Sequence, residues 1–305
     1  GDSMIAMIMG DSQTESTPTM DRLDSRGVSI RFQENNKLLL EMLDYGYAEG
    51  ARTLVHLGDV TETKNNDNAT LAAVAEFFAH AINIGFDVHV ILGNHDVSIY
   101  EISSSSIAPL AAMAPKGTFH SYHEVTRVGN FVFLPFLHGQ TPLDIKAHIE
   151  KALIGAPEGD LFLFGHYAVN GSRSGARNLR VPGDTLGPDE LCAHRFKKIY
   201  MGHIHAQQAI HLGIGLPDAI HPGSPVINDF GEREDKKGFV LYDFETDKVR
   251  FIEPTAPRKW IYADWASKEP TWTDRDIVKF TGEYSKGEDP RGAIRLKIKD
   301  GLWPE

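Results

Sequence analysis

The chain has 305 residues, 41% of them hydrophobic and 24% charged, with a formal net charge of −11 at pH 7. That composition is ordinary for a globular protein, and the acidic balance argues mildly against a generic nucleic-acid binder, because phosphate contacts need Lys and Arg. No stretch reaches the roughly 18 apolar residues of a membrane span; the single Cys192 excludes an internal disulfide framework and suits a reducing compartment, so the cytoplasm is expected.

Ile5–Met9 reads as a first strand running into Gly10-Asp11, too short and without the basic flank of a signal peptide. Residues 32–50 carry Leu39, Leu40, Met42, Leu43 and Tyr47 at helical spacing. Residues 53–57 form a short apolar run ending at Gly58-Asp59, a second helical pattern covers 69–84, and 87–92 is the next strand. This βαβαβ rhythm predicts parallel strands with helical crossovers, and ligands gathered in the loops beyond their carboxyl ends. Further strands are expected over 118–125, 129–135, 161–164 and 198–201, with a helix over 142–154, then short strands at 219–220, 238–244 and 248–253. The expected fold class is α/β, with two stacked mixed β-sheets flanked by helices over residues 4–253. Residues 254–305 read as a linker and a short partial capping unit, with 260–265 and 293–298 as its strands; about 50 residues is marginal for an independent core.

Five short motifs punctuate the strand ends: Gly10-Asp11-Ser12-Gln13, Gly58-Asp59-Val60-Thr61-Glu62, Gly93-Asn94-His95-Asp96, Gly165-His166 and Gly202-His203-Ile204-His205. Each alone is compatible with an ordinary turn or a loop hydrogen-bond network. Together they set out the donors of a two-metal phosphoesterase. Such a reaction needs an activated water, charge neutralisation and leaving-group stabilisation, which two ions about 3.5–4 Å apart can supply. Asp59 is the best bridging carboxylate, because Gly58 permits a sharp turn after a buried strand. Mixed imidazole and oxygen donors suit Mn, Fe or Zn better than Mg or Ca, and Mn is the first expectation.

The chain resembles the calcineurin-like metallophosphoesterase superfamily, and within it the SbcD-type DNA double-strand-break repair nucleases. The closer likeness rests on His166-Tyr167-Ala168-Val169-Asn170-Gly171, on Tyr200-Met201-Gly202-His203-Ile204-His205, on His221-Pro222-Gly223-Ser224-Pro225, and on Asp229-Phe230-Gly231-Glu232 before Lys236-Lys237-Gly238. The resemblance implies a four-layer sandwich and two metal ions, one held by Asp11, Asp59 and His205, the other by Asp59, Asn94, His166 and His203. It implies that His95 works at the scissile phosphate, oriented by Asp96. The usual Asp-x-His of the first motif is Asp11-Ser12-Gln13 in this chain. Gln13 offers only a carbonyl oxygen, a weaker ligand than imidazole, so a weakened first site and dependence on added Mn²⁺ are expected.

Arg173, Arg177 and Arg180 fall in one loop between ligand segments, and Arg22, Arg26 and Arg31 follow the first motif; either group could grip phosphates or be solvated surface charge. The resemblance also implies DNA as substrate, a homodimer, and a coiled-coil ATPase partner of the SbcC type. Apolar residues in 69–84 and 99–113 suit either a helical dimer face or core packing. The expected activity is a two-metal DNA exonuclease and endonuclease. The rivals are a phosphodiesterase for cyclic nucleotides or other small phosphoesters, and a non-catalytic scaffold of the same fold.

Overall fold

The computed structural model describes residues 5–18, 21–98, 101–157, 159–174, 179–180, 185–255, 260–264 and 277–281. The chain divides into two compact units, one of Gly1–Pro18 with Arg22–Pro254 and one of Thr19–Asp21 with Thr255–Glu305.

Two six-stranded mixed sheets dominate the larger unit. The first uses β1 (Ile5–Met9), β2 (Ala51–His56), β3 (Asp87–Ile91) and β4 (Phe119–Tyr122). The second uses β5 (Thr126–Val128), β6 (Phe131–Leu134), β7 (Phe162–Gly165), β8 (Lys198–Met201), β9 (Gln208–Ile210) and β10 (Ala219–His221). The chain then returns to the first sheet with β11 (Phe239–Asp243) and β12 (Lys248–Ile252), giving the order β12-β11-β1-β2-β3-β4; the second sheet runs β9-β10-β8-β7-β6-β5. β1 to β4 are mutually parallel, as are β6, β7, β8 and β10, while β11, β12, β9 and β5 pair antiparallel at the flanks.

Alternation along each strand builds the layers, because successive side chains point to opposite faces. In β1, Met7 and Met9 join the core beneath the helices with Leu43, Val74 and Phe78, while Ala6 and Ile8 join the core between the sheets with Phe133, Phe164 and Tyr200. The outer face of the second sheet packs Val132, Leu134 and Leu163 against Ile145 and Ile149. Two long helices cross between the first strands, α1 (Ile30–Ala48) and α2 (Asn68–Ile84), and each has a side-chain N-cap. Ser29 accepts from the Phe32 N–H and Asp67 from the Thr70 N–H, a contribution of about 1 kcal/mol apiece. Gly46 lets α1 settle on β1, since a methyl there would sit 2.6 Å from the Met7 sulfur.

Segment 99–113 is not one helix. It holds part of a ribbon pairing Val97–Ser98 with Glu101–Ser105, then a six-residue α3 (Ala108–Met113) that starts with Pro109 in its first turn. Val74, Phe77, Phe78 and Ala81 of α2 and Ile107 lie in the core and serve packing within the chain. A capping box of Thr141 and Asp144 opens α4 (Pro142–Ala152) on the outer face of the second sheet. In the smaller unit Trp260–Asp264 and Ile277–Thr281 pair in parallel; the expected strand at 293–298 lies outside the described residues. Among the described residues no helix is long and apolar enough to cross a membrane.

Candidate metal centre

The registers carry five strand ends to one edge. Met9 stands opposite His56 and His56 opposite Val90, and in the second sheet Met201, Gly165 and Leu134 stand side by side. The loops after β1, β2, β3, β7 and β8 hold all seven expected ligands. Backbone bonds lock those loops together: Asp11 N–H to the Gly58 carbonyl at 2.9 Å, Gln13 N–H to the Asp59 carbonyl at 3.0 Å, and Phe136 N–H to the Leu92 carbonyl at 2.9 Å.

One donor cluster is tightly drawn. The Asn94 side-chain oxygen lies 3.1 Å from His166 Nε2 and 3.0 Å from His203 Nδ1, and Asp59 Oδ2 lies 3.2 Å from His166 Nε2. His166 Nδ1 donates to the Leu57 carbonyl at 2.6 Å, so Nε2 is the nitrogen that would meet an ion once it gives up its proton. The second donor group is looser. Asp11 accepts the His203 N–H at 2.9 and 3.1 Å, and both His205 and Asp59 act electrostatically on its carboxyl. Gln13 is buried, and its side chain makes no hydrogen bond among the described residues.

The backbone is strained where the donors are. Asp11, Gln13, Asp59 and His203 all take positive φ, between 43° and 76°, a conformation that costs about 1–3 kcal/mol for most side chains and persists where surroundings impose it. Three glycines allow the close approach. A methyl on Gly93 would overlap the Asp59 carboxylate, one on Gly58 would sit 2.7 Å from His166 Nδ1, and one on Gly202 would sit 2.5 Å from the Leu57 carbonyl oxygen. Convergent N and O donors, a preset imidazole orientation and localised strain fit a pair of divalent ions. Asp59, Asn94, His166 and His203 would hold one, and Asp11, Asp59 and His205, with Gln13 beside them, the other.

The charges are unbalanced without ions. Burial pushes the Asp11 carboxyl up to about 6, against the pull of His166 and His205; burial and the Asp59 charge push Asp96 up to about 7. Burial opposes the charge on His166 and His205, yet Asp59 raises the first to about 9, and Glu232 with Asp11 raises the second to about 9. Burial lowers His203 to about 3. Between pH 7 and 9, His166 and His205 therefore hold protons that the unfolded chain, near 6.5, has lost. Their contribution is complete below the unfolded value and disappears as pH rises through the folded value. We expect the chelated protein to lose several degrees of Tm from pH 7 to 9. Added Mn²⁺ should oppose that trend, since ion affinity rises as ligand protons leave; calorimetry at the two pH values checks the sign.

Asp96 corrects one expectation. It does not orient the His95 ring. Its Oδ1 accepts from the Val60 and Thr61 N–H groups at 2.9 and 3.3 Å, and its Oδ2 from Gly93 N–H at 2.8 Å, so it braces two ligand loops. His95 Nδ1 instead donates to the Glu62 carbonyl, and its backbone N–H donates to Asp59 Oδ1 at 2.9 Å. The arginines also sort. Arg31 is buried and donates to the Ile227 and Asn228 carbonyls at 3.0 and 2.6 Å, Arg26 pairs with Asp24 at 2.8 Å, and the Arg22 carbonyl accepts the Ile30 N–H at 2.9 Å. Arg31 and Arg26 are thus engaged within the fold. Arg173 and Arg180 stand opposite each other in a two-stranded ribbon, and Arg177 lies outside the described residues.

Two residues escaped the sequence reading as site members. Glu232 Oε1 sits 2.6 Å from His205 Nδ1, and its Oε2 sits 2.7 Å from Lys237 Nζ. Lys237 also donates to Ser224 Oγ at 2.6 Å and to the His205 carbonyl at 3.1 Å. The Gly-Ser-Pro, Phe-Gly-Glu and Lys-Gly segments therefore converge on His205, and that shared series was the available signal. Burial would raise the Glu232 carboxyl, but the His205 hydrogen bond and Lys237 hold it down at about 2. Such outer partners typically set 10–100-fold in metal affinity or activity. Glu232→Gln should cost that much and also strand the buried Lys237 charge. The pair Glu232→Gln with Lys237→Met should recover stability without recovering metal affinity, as thermal melts and Mn²⁺ titration would read.

The profile of the calcineurin-like phosphoesterase family matches residues 8–207. Exonuclease subunit 1 of Enterobacteria phage T4 is 23% identical over 265 residues, covering 81% of this chain and 73% of that protein. The protein TT1561 of Thermus thermophilus aligns with a TM-score of 0.50 at 13% identity over 82% of this chain and 99% of its own, a likeness of fold alone. A dimetal phosphatase from Danio rerio aligns with a TM-score of 0.48 at 12% identity over 80% of this chain and 93% of its own.

Proposed function

The chain belongs to the calcineurin-like phosphoesterase family, and from that premise we propose that this metal-dependent phosphoesterase is a DNA nuclease of the SbcD-like group. The observation that carries the reading is the buried Ser224–Glu232–Lys237 assembly on His205, which makes one structural unit of the segments that single out that group by sequence. The likeness to a phage exonuclease subunit over 81% of the chain points the same way. A cavity of about 640 Å³ begins at Ala206, the residue after His205, and is lined by Arg173, Gln207, Gln208 and Lys236 among others, with room for a polar chain.

Two bound divalent ions, Mn first among the candidates, would supply charge neutralisation at the phosphoryl oxygens and an activated water. The chain's own part is positional. Asp59 spends one oxygen on the His95 N–H and turns the other toward His166. His95, fixed through Nδ1 on the Glu62 carbonyl, is left with Nε2 to act at the leaving oxygen. Asp96 keeps the loops after β2 and β3 at their spacing. On this reading the partner is a coiled-coil ATPase of the SbcC type.

Mn²⁺-dependent shortening of end-labelled linear duplex DNA tests the proposal. Hydrolysis of a small diester with intact duplex would move the assignment to a small-molecule phosphodiesterase. Inertness toward both would favour the scaffold. If the ribbon grips phosphates, Arg173→Ala with Arg180→Ala should weaken DNA binding and reduce the slope of log K against log salt by about 2, one unit per lost contact.

A further inference from the structure

At the amino end of β3, away from the catalytic loops, a second group of ligand-type side chains meets. Asp87 opens the strand, His89 lies two residues on and so on the same face, and the parallel register sets His120 of β4 directly beside His89. Asp87 Oδ2 is 3.2 Å from His89 Nε2, and Asp87 Oδ1 is 3.1 Å from His120 Nε2. All three donors lie within 4.8 Å of one another, and the two imidazoles stack at 4.8 Å with planes 19° apart. His89 lies near the amino end of β3, whereas Asn94 follows its carboxyl end at Ile91.

We propose that Asp87, His89 and His120 form a further binding site for a single divalent ion of the zinc class, distinct from the phosphoesterase centre. Two imidazoles and a carboxylate are a common zinc donor set, and bonds of about 2.0–2.1 Å place tetrahedral donors roughly 3.3 Å apart, close to the two spacings found. The outer partner is already in place. Tyr122 OH lies 2.7 Å from His89 Nδ1, and the Phe133 ring stacks on His89 at 5.1 Å, so the buried imidazole is held with Nε2 toward Asp87. The Asp87 and His120 side chains are 50% and 36% exposed, which leaves the remaining coordination position open to water. The site has a structural purpose as well. Among the described residues β4 is the edge strand of its sheet and pairs with β3 alone, and the ion would tie the two together through side chains.

The competing account is a carboxylate accepting two neutral imidazole N–H groups. Zinc counting separates the two. The metal-stripped full chain is titrated with Zn²⁺ alone, freed of loose metal and analysed for zinc per chain, beside Asp87→Asn and His120→Gln. Both substitutions sit at exposed positions outside the hydrophobic core. The expected result is one zinc fewer per chain in each variant, with loss of part of the visible spectrum after Co²⁺ loading and a smaller zinc-induced rise in Tm. Equal zinc counts in wild type and both variants would overturn the site. That count is independent of the substrate, so it stands or falls apart from the nuclease reading.

Discussion

Asp59→Asn removes most of the hydrolytic activity, on the order of 10³-fold, which corresponds to about 4 kcal/mol of barrier. The substitution is nearly isosteric. Asn tolerates the positive φ of 50° at this position and keeps an oxygen for the His95 N–H, so the loop has no steric reason to move. What disappears is the negative charge facing His166 at 3.2 Å and lying within the electrostatic reach of Asp11 and Asp96. If Asp59 is shared between both donor groups, Mn²⁺ stoichiometry falls along with rate. Circular dichroism should match wild type. A variant within tenfold of wild-type activity and with full metal content would remove Asp59 from the bridging position.

His95→Gln should give a different pattern, a loss of roughly 10²–10⁴-fold in rate with metal content unchanged. Its ring contacts the Glu62 carbonyl, while the tight donor cluster is built by Asp59, Asn94, His166 and His203. Gln can still reach that carbonyl through its amide and retains the backbone N–H that Asp59 accepts. It cannot exchange a proton at the position of Nε2. Single-turnover cleavage beside elemental analysis reads both quantities. Loss of metal together with rate would place His95 among the groups that hold the ions.

The layered architecture was legible because apolar runs of strand length alternate with helical patterns, and each early strand stops at a glycine followed by a donor. The placement of the seven candidate ligands was legible for the same reason: Asp11, Gln13, Asp59, Asn94, His166, His203 and His205 all sit within a few residues of a strand's carboxyl end. Short strands such as Thr126–Val128 and Gln208–Ile210 were not, since three residues carry no periodicity and their pairing is set by partners remote in sequence. Asp96 was misjudged because adjacency to His95 suggests a pair. A turn closed by Asp96 N–H on the Gly93 carbonyl at 3.3 Å places its carboxylate among backbone amides instead. Glu232 lies 27 residues beyond His205, and only tertiary structure shows that it touches that ring at all.

The neighbour of β1 on its second side is β11, with Ile5 opposite Asp243. In amino-to-carboxyl synthesis, more than 200 residues must therefore follow β1 before that strand is paired on both sides. Glu232 and Lys237, which secure His205, arrive in that same late stretch. Long-range pairing of this kind slows folding. It also gives the order of assembly a protective sense, since the hydrolytic centre reaches its final geometry only after nearly the whole of the larger unit has been synthesised and closed.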